Sequence, residues 1–272
     1  VPNEPATFDF LSGESGTVAG VRSIAKAALR DAVEDLWRLA TLQQLRLARA
    51  ARRAPPTRRI LILGTVRPDR RVLMERTLAE LRRTRHEIEV ALSVGGGRGK
   101  FGDLNALLAE RTVASFDWVL AVDDDVALPR GFLDGFVFLA ERFELKLAQP
   151  AHRHRSHAAW RVTRRRPASV VRETVFVEIG PLTAFHRDVF GVLLPFPAVE
   201  MGWGLDVHWA AIARQRGWRM GIVDALPIRH LIPIAVDYSW DRAVDEAQRF
   251  LAARPYVARD EVQRTVSVHR RW

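Results

Sequence analysis

Three carboxylates stand in a row at residues 123–125, closing the apolar run VLAVDDDVALP. Adjacent like charges repel, so the triplet asks for a counter-charge. In an extended chain successive side chains point to opposite sides, which puts Asp123 and Asp125 on one side and Asp124 on the other. Two carboxylates facing one way make a hard-oxygen site suited to Mg²⁺ or Mn²⁺, ions that complete their shells with substrate phosphates. A solvated, self-capping strand end is the plainer alternative; the strand before the triplet and Pro129 after it favour the cation. Ahead of it, SVGGGRGKFGDLNALLAE (93–110) is a glycine-rich loop running into a helix, which offers backbone N–H groups, including that of Gly97, and the cations Arg98 and Lys100 to an anion. It lacks the Gly-Lys-Ser/Thr of a phosphate loop, and its glycines follow the second strand rather than the first, so it is not a dinucleotide fingerprint. A flexible surface loop is the equal alternative.

The elements that must position these residues alternate between strand and helix. RRILILGTV (58–66) reads as a buried parallel strand, EIEVALSV (87–94) and DWVLAVDDD (117–125) as a second and a third strand, and Arg71–Arg83, Leu104–Arg111 and Pro129–Leu147 as helices. This order predicts an α/β domain with a mixed, mostly parallel sheet flanked by helices, whose ligands bind beyond the carboxyl ends of the strands. The aspartates stand at such an end. A further helix is expected over VHWAAIARQRGW (207–218), with Asp206 as its N-cap, and a strand over Gly221–Val223. A carboxylate at a helix N-terminus is favoured ionised. Residues 1–16 read as an irregular lead-in. From Thr17 to Arg53 the pattern is helical, and Ala54, Pro55 and Pro56 break it. The expected division is a lead-in and helical appendage over 1–56, a catalytic domain over 57–255 and a tail over 256–272. The appendage packs on the domain or pairs with another copy to give a homodimer; a basic helix touching a membrane surface is the sharper alternative.

Composition narrows the classes. The 272 residues are 48% apolar, enough for a large core, and carry a net charge of +10. Of 42 basic residues only three are lysine. The positive field draws phosphates of some kind. With no cysteine there is no disulfide framework and no thiolate zinc site. The lack of a signal-peptide pattern and of a membrane-length apolar run leads to the expectation of a cytoplasmic protein.

Several of these pieces in order resemble a known family. A first strand ending in Thr65-Val66-Arg67, the element GKFGDLNAL, a strand closing on D-x-D and a later GWGLD look like nucleotide-sugar glycosyltransferases of the GT-A fold, over roughly residues 58–255. The second half, with FVEIGPLTAFHRDVF, MGWGLD, GIVD and the histidine of IRH, is also similar to an uncharacterised family common in plants. The resemblance implies a GT-A catalytic domain using Mn²⁺ or Mg²⁺, a nucleoside-diphosphate sugar (UDP- or GDP-linked) as donor and a hydroxyl acceptor. It implies that Asp125 and His230 bind the metal, with Asp123 on the metal or the ribose, and that Asp206 is the general base of an inverting transfer. Leu205 stands where the family often has an acid, and inversion and retention both stay open. Donor contacts fall on Thr65, Arg67, Gly97, Lys100, Asn105, Asp123, Asp124, Gly180, Trp203 and Gly204. Glu178, Pro181 and Thr183 lie in the segment beside donor and acceptor sugars.

The remaining basic segment, HRHRSHAAWRVTRRRP (152–167), reads as a mobile loop able to fold over a diphosphate or a phosphorylated acceptor; His152, His154 and His157 have no interleaved acid to make a metal site. Two rival readings are a non-catalytic nucleotide-sugar binder and a nucleic-acid-binding module drawing on Arg52, Arg53 and Arg164–Arg166. Nucleic acid is disfavoured, because no reader motif is present and the aspartates repel a phosphate backbone.

Overall fold

The computed structural model describes residues 9–95, 97–234, 236 and 238–272. In chain order its elements are α1 (Val21–Ala40), α2 (Gln43–Arg53), β1 (Arg59–Val66), α3 (Arg71–Leu81), β2 (Glu87–Val94), α4 (Gly99–Ala109), β3 (Trp118–Val122), β4 (Val126–Ala127), α5 (Phe132–Arg142), β5 (Leu145–His152), β6 (Val171–Thr174), β7 (Leu182–His186), α6 (Phe190–Leu193), α7 (Leu205–Arg216), β8 (Arg219–His230), α8 (Trp240–Leu251), α9 (Arg259–Val262) and β9 (Thr265–His269). The strands form one sheet in the order β2-β1-β3-β7-β5-β8-β6-β9, with β4 paired to β8. β1 lies parallel to β2 and β3, and β5 parallel to β8, while β7 and β6 are antiparallel to their neighbours. Followed through these pairings, β1, β2, β3, β5, β8 and β9 run one way and β6 and β7 the other. The sheet is therefore mixed, mostly co-directional and flanked by helices, the α/β class expected.

Alternation along the strands divides the core in two. Ile60, Ile62, Trp118, Leu120 and Val122 face a layer made with α2, α3 and α5. Leu61, Leu63, Val119 and Ala121 face the other, with α4, α7 and α8. Strands with both faces buried need continuous apolarity, which is how β1 and β3 read in the sequence.

Several boundaries differ from expectation. α4 begins at Gly99 rather than Leu104, since Phe101, Leu104 and Leu108 form one buried stripe at helical spacing. The helix expected over Pro129–Leu147 ends at Arg142, and Leu145 opens a strand that draws its burial from the centre of the sheet. β3 stops at Val122, so the aspartates lie just beyond it. The stretch expected as a tail contributes β9, which pairs with β6 at the sheet edge.

The N-terminal region departs further. In place of one helix, the chain breaks at Thr41–Leu42, where Leu42 takes φ 53°. α1 also lies the other way up: its acids Asp31, Glu34 and Asp35 face the body while Leu29, Val33 and Leu36 are exposed. The reason is the basic segment 152–167, which is pinned rather than mobile. Arg165 pairs with Asp31 at 3.0 Å and Glu34 at 2.5 Å, Arg153 with Asp35, and the backbone N–H groups of His154 and Arg155 both donate to Asp31 at 3.0 Å. Arg38 reaches the backbone oxygens of Asp224 (2.6 Å) and Ala225 (3.2 Å), and burial, followed by the charge of Arg165, lowers its pKa to about 10. The guanidinium stays charged. Among the described residues no helix is long and apolar enough to cross a membrane.

Under this contact lies an ion pair shut off from water. Arg172 meets Asp224 through two bonds, Nε to Oδ2 at 2.8 Å and Nη2 to Oδ1 at 3.0 Å, and Asp224 also accepts from the Arg166 backbone at 2.9 Å. Removing one partner leaves a buried charge uncompensated. Asp224→Ala is expected to cost roughly 3–5 kcal/mol, read as a fall in the urea midpoint at unchanged slope.

Candidate active site

The three aspartates each find a different partner. Asp123 Oδ1 lies 2.5 Å from Lys100 Nζ, at the start of α4. Asp124 turns to the opposite side, where it accepts from the Arg67 backbone N–H at 2.8 Å and meets Arg70 at 3.4 Å. Asp125 Oδ2 lies 3.2 Å from His230 Nε2. The alternation of β3 thus carries on past its last paired residue, with Asp123 and Asp125 on the α4 side and Asp124 on the α3 side.

His230 is delivered by the far end of β8. β4 pairs Val126 with His230, and the strand exit is stitched to Asp125 by the N–H of Leu231 to its carbonyl and the N–H of Ile232 to Oδ2, both at 3.0 Å. On its other edge His230 Nδ1 faces the carbonyl of His157 at 3.2 Å, which assigns the proton to Nδ1 and leaves Nε2 toward the carboxylates. Burial works to depress the His230 pKa, but the hydrogen bond and charge of Asp125 outweigh it and the pKa rises. For Asp125 the burial penalty is likewise outweighed, by the bond to His230, and its pKa falls. Each therefore favours the charged form of the other. Asp124 differs: burial dominates and raises its pKa despite the Arg67 N–H.

Asp123, Asp125 and His230 each turn one ligand atom into a common space, all within 4.8 Å of one another. Two carboxylates and an imidazole form a donor set that suits Mn²⁺ or Mg²⁺, and the Nδ1–H to carbonyl bond is the usual outer support of a ligating Nε2. These residues fit a divalent ion. The three histidines of the basic segment form no such group: His152 bonds Ser156 at 2.8 Å, His154 reaches Glu34 at 2.8 Å, and His157 accepts from the Val18 N–H at 3.2 Å.

Around the cluster opens a cleft of about 870 Å³ beyond the carboxyl ends of β1 and β3. Thr65, Arg67, Gly97, Lys100, Gly180, Trp203, Gly204, Asp206 and His230 all line it with the aspartates. Asn105 does not. Its amide is used in two 2.8 Å bonds to the backbone of Phe196, so it holds the chain after β7 and contacts no ligand space in the cleft. Thr183 is also supportive, donating to the Glu178 carbonyl at 2.8 Å. Gly96 of the glycine-rich loop lies outside the described residues.

The loop 200–204 also lines the cleft. Glu246 of α8 accepts from the N–H groups of Glu200, Met201 and Gly202 at 2.6–2.9 Å, which fixes this loop over α4. Gly202 has φ 82°, and a Cβ there would stand 2.1 Å from the Phe101 ring, so a side chain at this position is strained and displaces that buried ring. Trp203 is half-exposed at the cleft, its indole N–H donating to the Tyr238 hydroxyl at 3.0 Å and its ring edge-on to Trp240 with centroids 4.6 Å apart.

Asp206 is not the N-cap of α7. Gly204 takes that place, and Asp206 is the second residue of the helix, 5% exposed, accepting from the Val207 N–H at 2.9 Å. Burial, then the like charge of Glu178, pushes its pKa up to about 7, so it is not held ionised as a surface cap would be. Glu178 is itself buried. Its N–H bonds Gln149, and its Oε2 faces His152 Nε2 at 3.5 Å, neither atom having a hydrogen-bond partner among the described residues.

Other cleft residues were not singled out by sequence reasoning. Phe10, Leu11 and Ser12 bring the lead-in to the cleft, and Tyr238, Trp240 and Arg242 follow the histidine. The aromatic pair beside Ser239, which caps α8, was the available signal for the latter.

No protein-family model and no curated protein matches the chain. Among solved structures it is similar to a mannosyltransferase from Pyrobaculum calidifontis in complex with GDP-Man and Mn²⁺, at 16% identity and TM-score 0.41, over 73% of this chain and 68% of that one. A protein from STIV is similar at 13% identity and TM-score 0.43, over 64% and 86%. GalNAc-T7 with UDP, GalNAc and Mn²⁺ is similar at 9% identity and TM-score 0.45, over 71% of this chain and about half (48%) of that one. Likeness at this level assigns no chemistry, which rests on the cleft itself.

The raised pKa of Asp206 has a stability consequence. Between pH 3.8 and about 7 the unfolded chain has released this proton while the folded chain retains it, so the group's contribution to stability is lost as pH rises through that window. Asp206→Asn keeps the acceptor for Val207 without the ionisation. It is expected to match the parent's stability at pH 4 and to exceed it at pH 8 by roughly 3–5 kcal/mol, in thermal melts across that range.

Proposed function

We propose that the chain transfers a sugar from a nucleoside-diphosphate sugar to a hydroxyl acceptor, with Asp206 as general base in an inverting displacement. The observation that carries this reading is the convergence of Asp123, Asp125 and His230 within 4.8 Å, beside Lys100 and in the same cleft as Asp206. An acidic pair held at a ligand-binding sheet edge, with a lysine at one oxygen, suits a cation that in turn meets a diphosphate. Bound there by Asp123, Asp125 and His230, Mn²⁺ or Mg²⁺ would supply Lewis-acid stabilisation of the charge on the departing phosphate.

The remaining roles fall to the chain. Lys100 adds a fixed positive charge beside the site, in place before reaction and so free of reorganisation cost. Thr65, Arg67, Asp124 and the glycines at 97 and 180 border the nucleotide, Asp124 through the Arg67 backbone it holds. Trp203, steadied by Tyr238 and Trp240, presents an aromatic surface of the kind that packs on a sugar face. As the acceptor oxygen bonds the anomeric carbon and the bond from that carbon to the phosphate oxygen breaks, the hydroxyl proton passes to Asp206. A base with a pKa near 7 is matched to proton removal at neutral pH.

The reading is tested with a panel of UDP- and GDP-sugars. UDP or GDP with Mn²⁺ is expected to raise the melting temperature, and Asp125→Asn to remove that rise. Turnover or donor hydrolysis by the parent, cut by about 10²–10⁴-fold in Asp206→Asn, separates a transferase from a binder. The parent's kcat/KM is expected to rise through about pH 7 and that of the variant to lose this step. Unchanged turnover in Asp206→Asn rejects the base role, and no metal-assisted nucleotide binding rejects the reading as a whole.

A further inference from the structure

α1 presents to solvent the side that a docked helix ordinarily buries. Val21, Leu29, Val33, Leu36 and Leu39 are 86%, 66%, 60%, 67% and 70% exposed, and Trp37 is 45% exposed. At 3.6 residues per turn Leu29, Val33 and Leu36 share one side with Ala25 and Ala40. Their apolar periodicity is therefore not explained by the helix's contact with its own domain, which buries Ala27 and is held mainly by charge: Asp31, Glu34, Asp35 and Arg38 against Arg153, His154, Arg165 and two backbone carbonyls.

Charge is sorted by the same geometry. All three acids of α1 are turned inward, whereas Arg22, Lys26 and Arg30, spaced four apart, are exposed along the flank of the apolar side. The outward surface of this helix is thus apolar and positive, with no carboxylate. In α2 the exposed Arg46, Arg49, Arg52 and Arg53 continue the excess, and that helix has no acid at all. Isolated exposed leucines need no account, but a stripe of this extent marks a surface that meets something.

We propose that the outward face of α1 is a docking surface for a membrane rich in anionic lipid headgroups. An amphipathic helix with apolar residues on one side and Lys/Arg beside them lies in the interface plane, its apolar side sunk about 5–10 Å into the headgroup boundary. A tryptophan at the edge of the stripe suits the same depth. A second copy of the chain matches less well. Pairing this face with itself sets Arg22, Lys26 and Arg30 against a partner surface that has no acid to answer them. The inference is independent of the reading of the cleft, and its test touches no cleft residue.

The test is flotation of the whole 272-residue chain with phosphatidylcholine vesicles, with and without phosphatidylglycerol, at low and high salt. The chain is expected to float with the phosphatidylglycerol vesicles alone, and less so as salt rises. Leu29→Glu with Leu36→Glu should abolish flotation. Arg22→Gln, Lys26→Gln and Arg30→Gln together should weaken partitioning by roughly a hundredfold, about fivefold per charge. Both variants should keep the parent's melting temperature, since the altered side chains are exposed. The proposal is overturned if the parent does not float, if the double-glutamate variant floats as well as the parent, or if the parent is a dimer in light scattering that this variant dissociates without any vesicle binding.

Discussion

Repulsion among three consecutive carboxylates organises this molecule. Each aspartate is quieted by a group from a different part of the chain: Asp123 by Lys100 of α4, Asp124 by the Arg67 backbone and Arg70 ahead of α3, Asp125 by His230 at the end of β8. The strand tip therefore acts as the point where the β1 exit, the glycine-rich loop and the far half of the sheet are drawn together. A cleft results because these partners arrive from three directions and leave the space between them open.

Electrostatics inside the cleft differs from one buried carboxylate to the next according to the groups beside it. Near the tip, carboxylates have cations within reach, and Asp125 stays ionised even though burial opposes it. Asp206 instead has backbone donors and the acid Glu178 beside it, and its proton is held to about pH 7. Two kinds of carboxylate thus line one cavity, one suited to holding a cation and the other to exchanging a proton. Their difference comes from their neighbours and not from residue type.

The N-terminal helix follows the same logic of paired charge. Arg153 and Arg165 sit where the strand-to-strand connection leaves β5, and the acids that neutralise them come from α1. Satisfying buried arginines outweighs covering leucines, because a buried unpaired charge costs far more than an exposed apolar side chain. The helix is consequently clamped by its polar side, and Arg153, His154 and Arg165 of the basic segment are engaged within the chain. The loop is also joined to the site, since the carbonyl of His157 and the hydroxyl of Ser156 both hold His230.

Local signals were enough for much of this. Continuous apolar runs marked β1 and β3, the period of two predicted which side each aspartate would take, and nearly every residue that the order of motifs singled out lines the cleft. These features depend on backbone periodicity and on residue chemistry, which short stretches of chain carry by themselves. What tertiary structure alone decided were matters of partnership. The apolar stripe of α1 read as a buried face, yet arginines more than a hundred residues away turned it outward. Asn105 sat inside a motif, yet its amide was taken by the Phe196 backbone. Asp206 read as an ionised N-cap, yet a glycine two residues earlier caps the helix, and burial and the charge of Glu178 raise its pKa. Whether a polar group is paired, buried or free is set by atoms distant in the chain, and no local pattern encodes which of them will arrive.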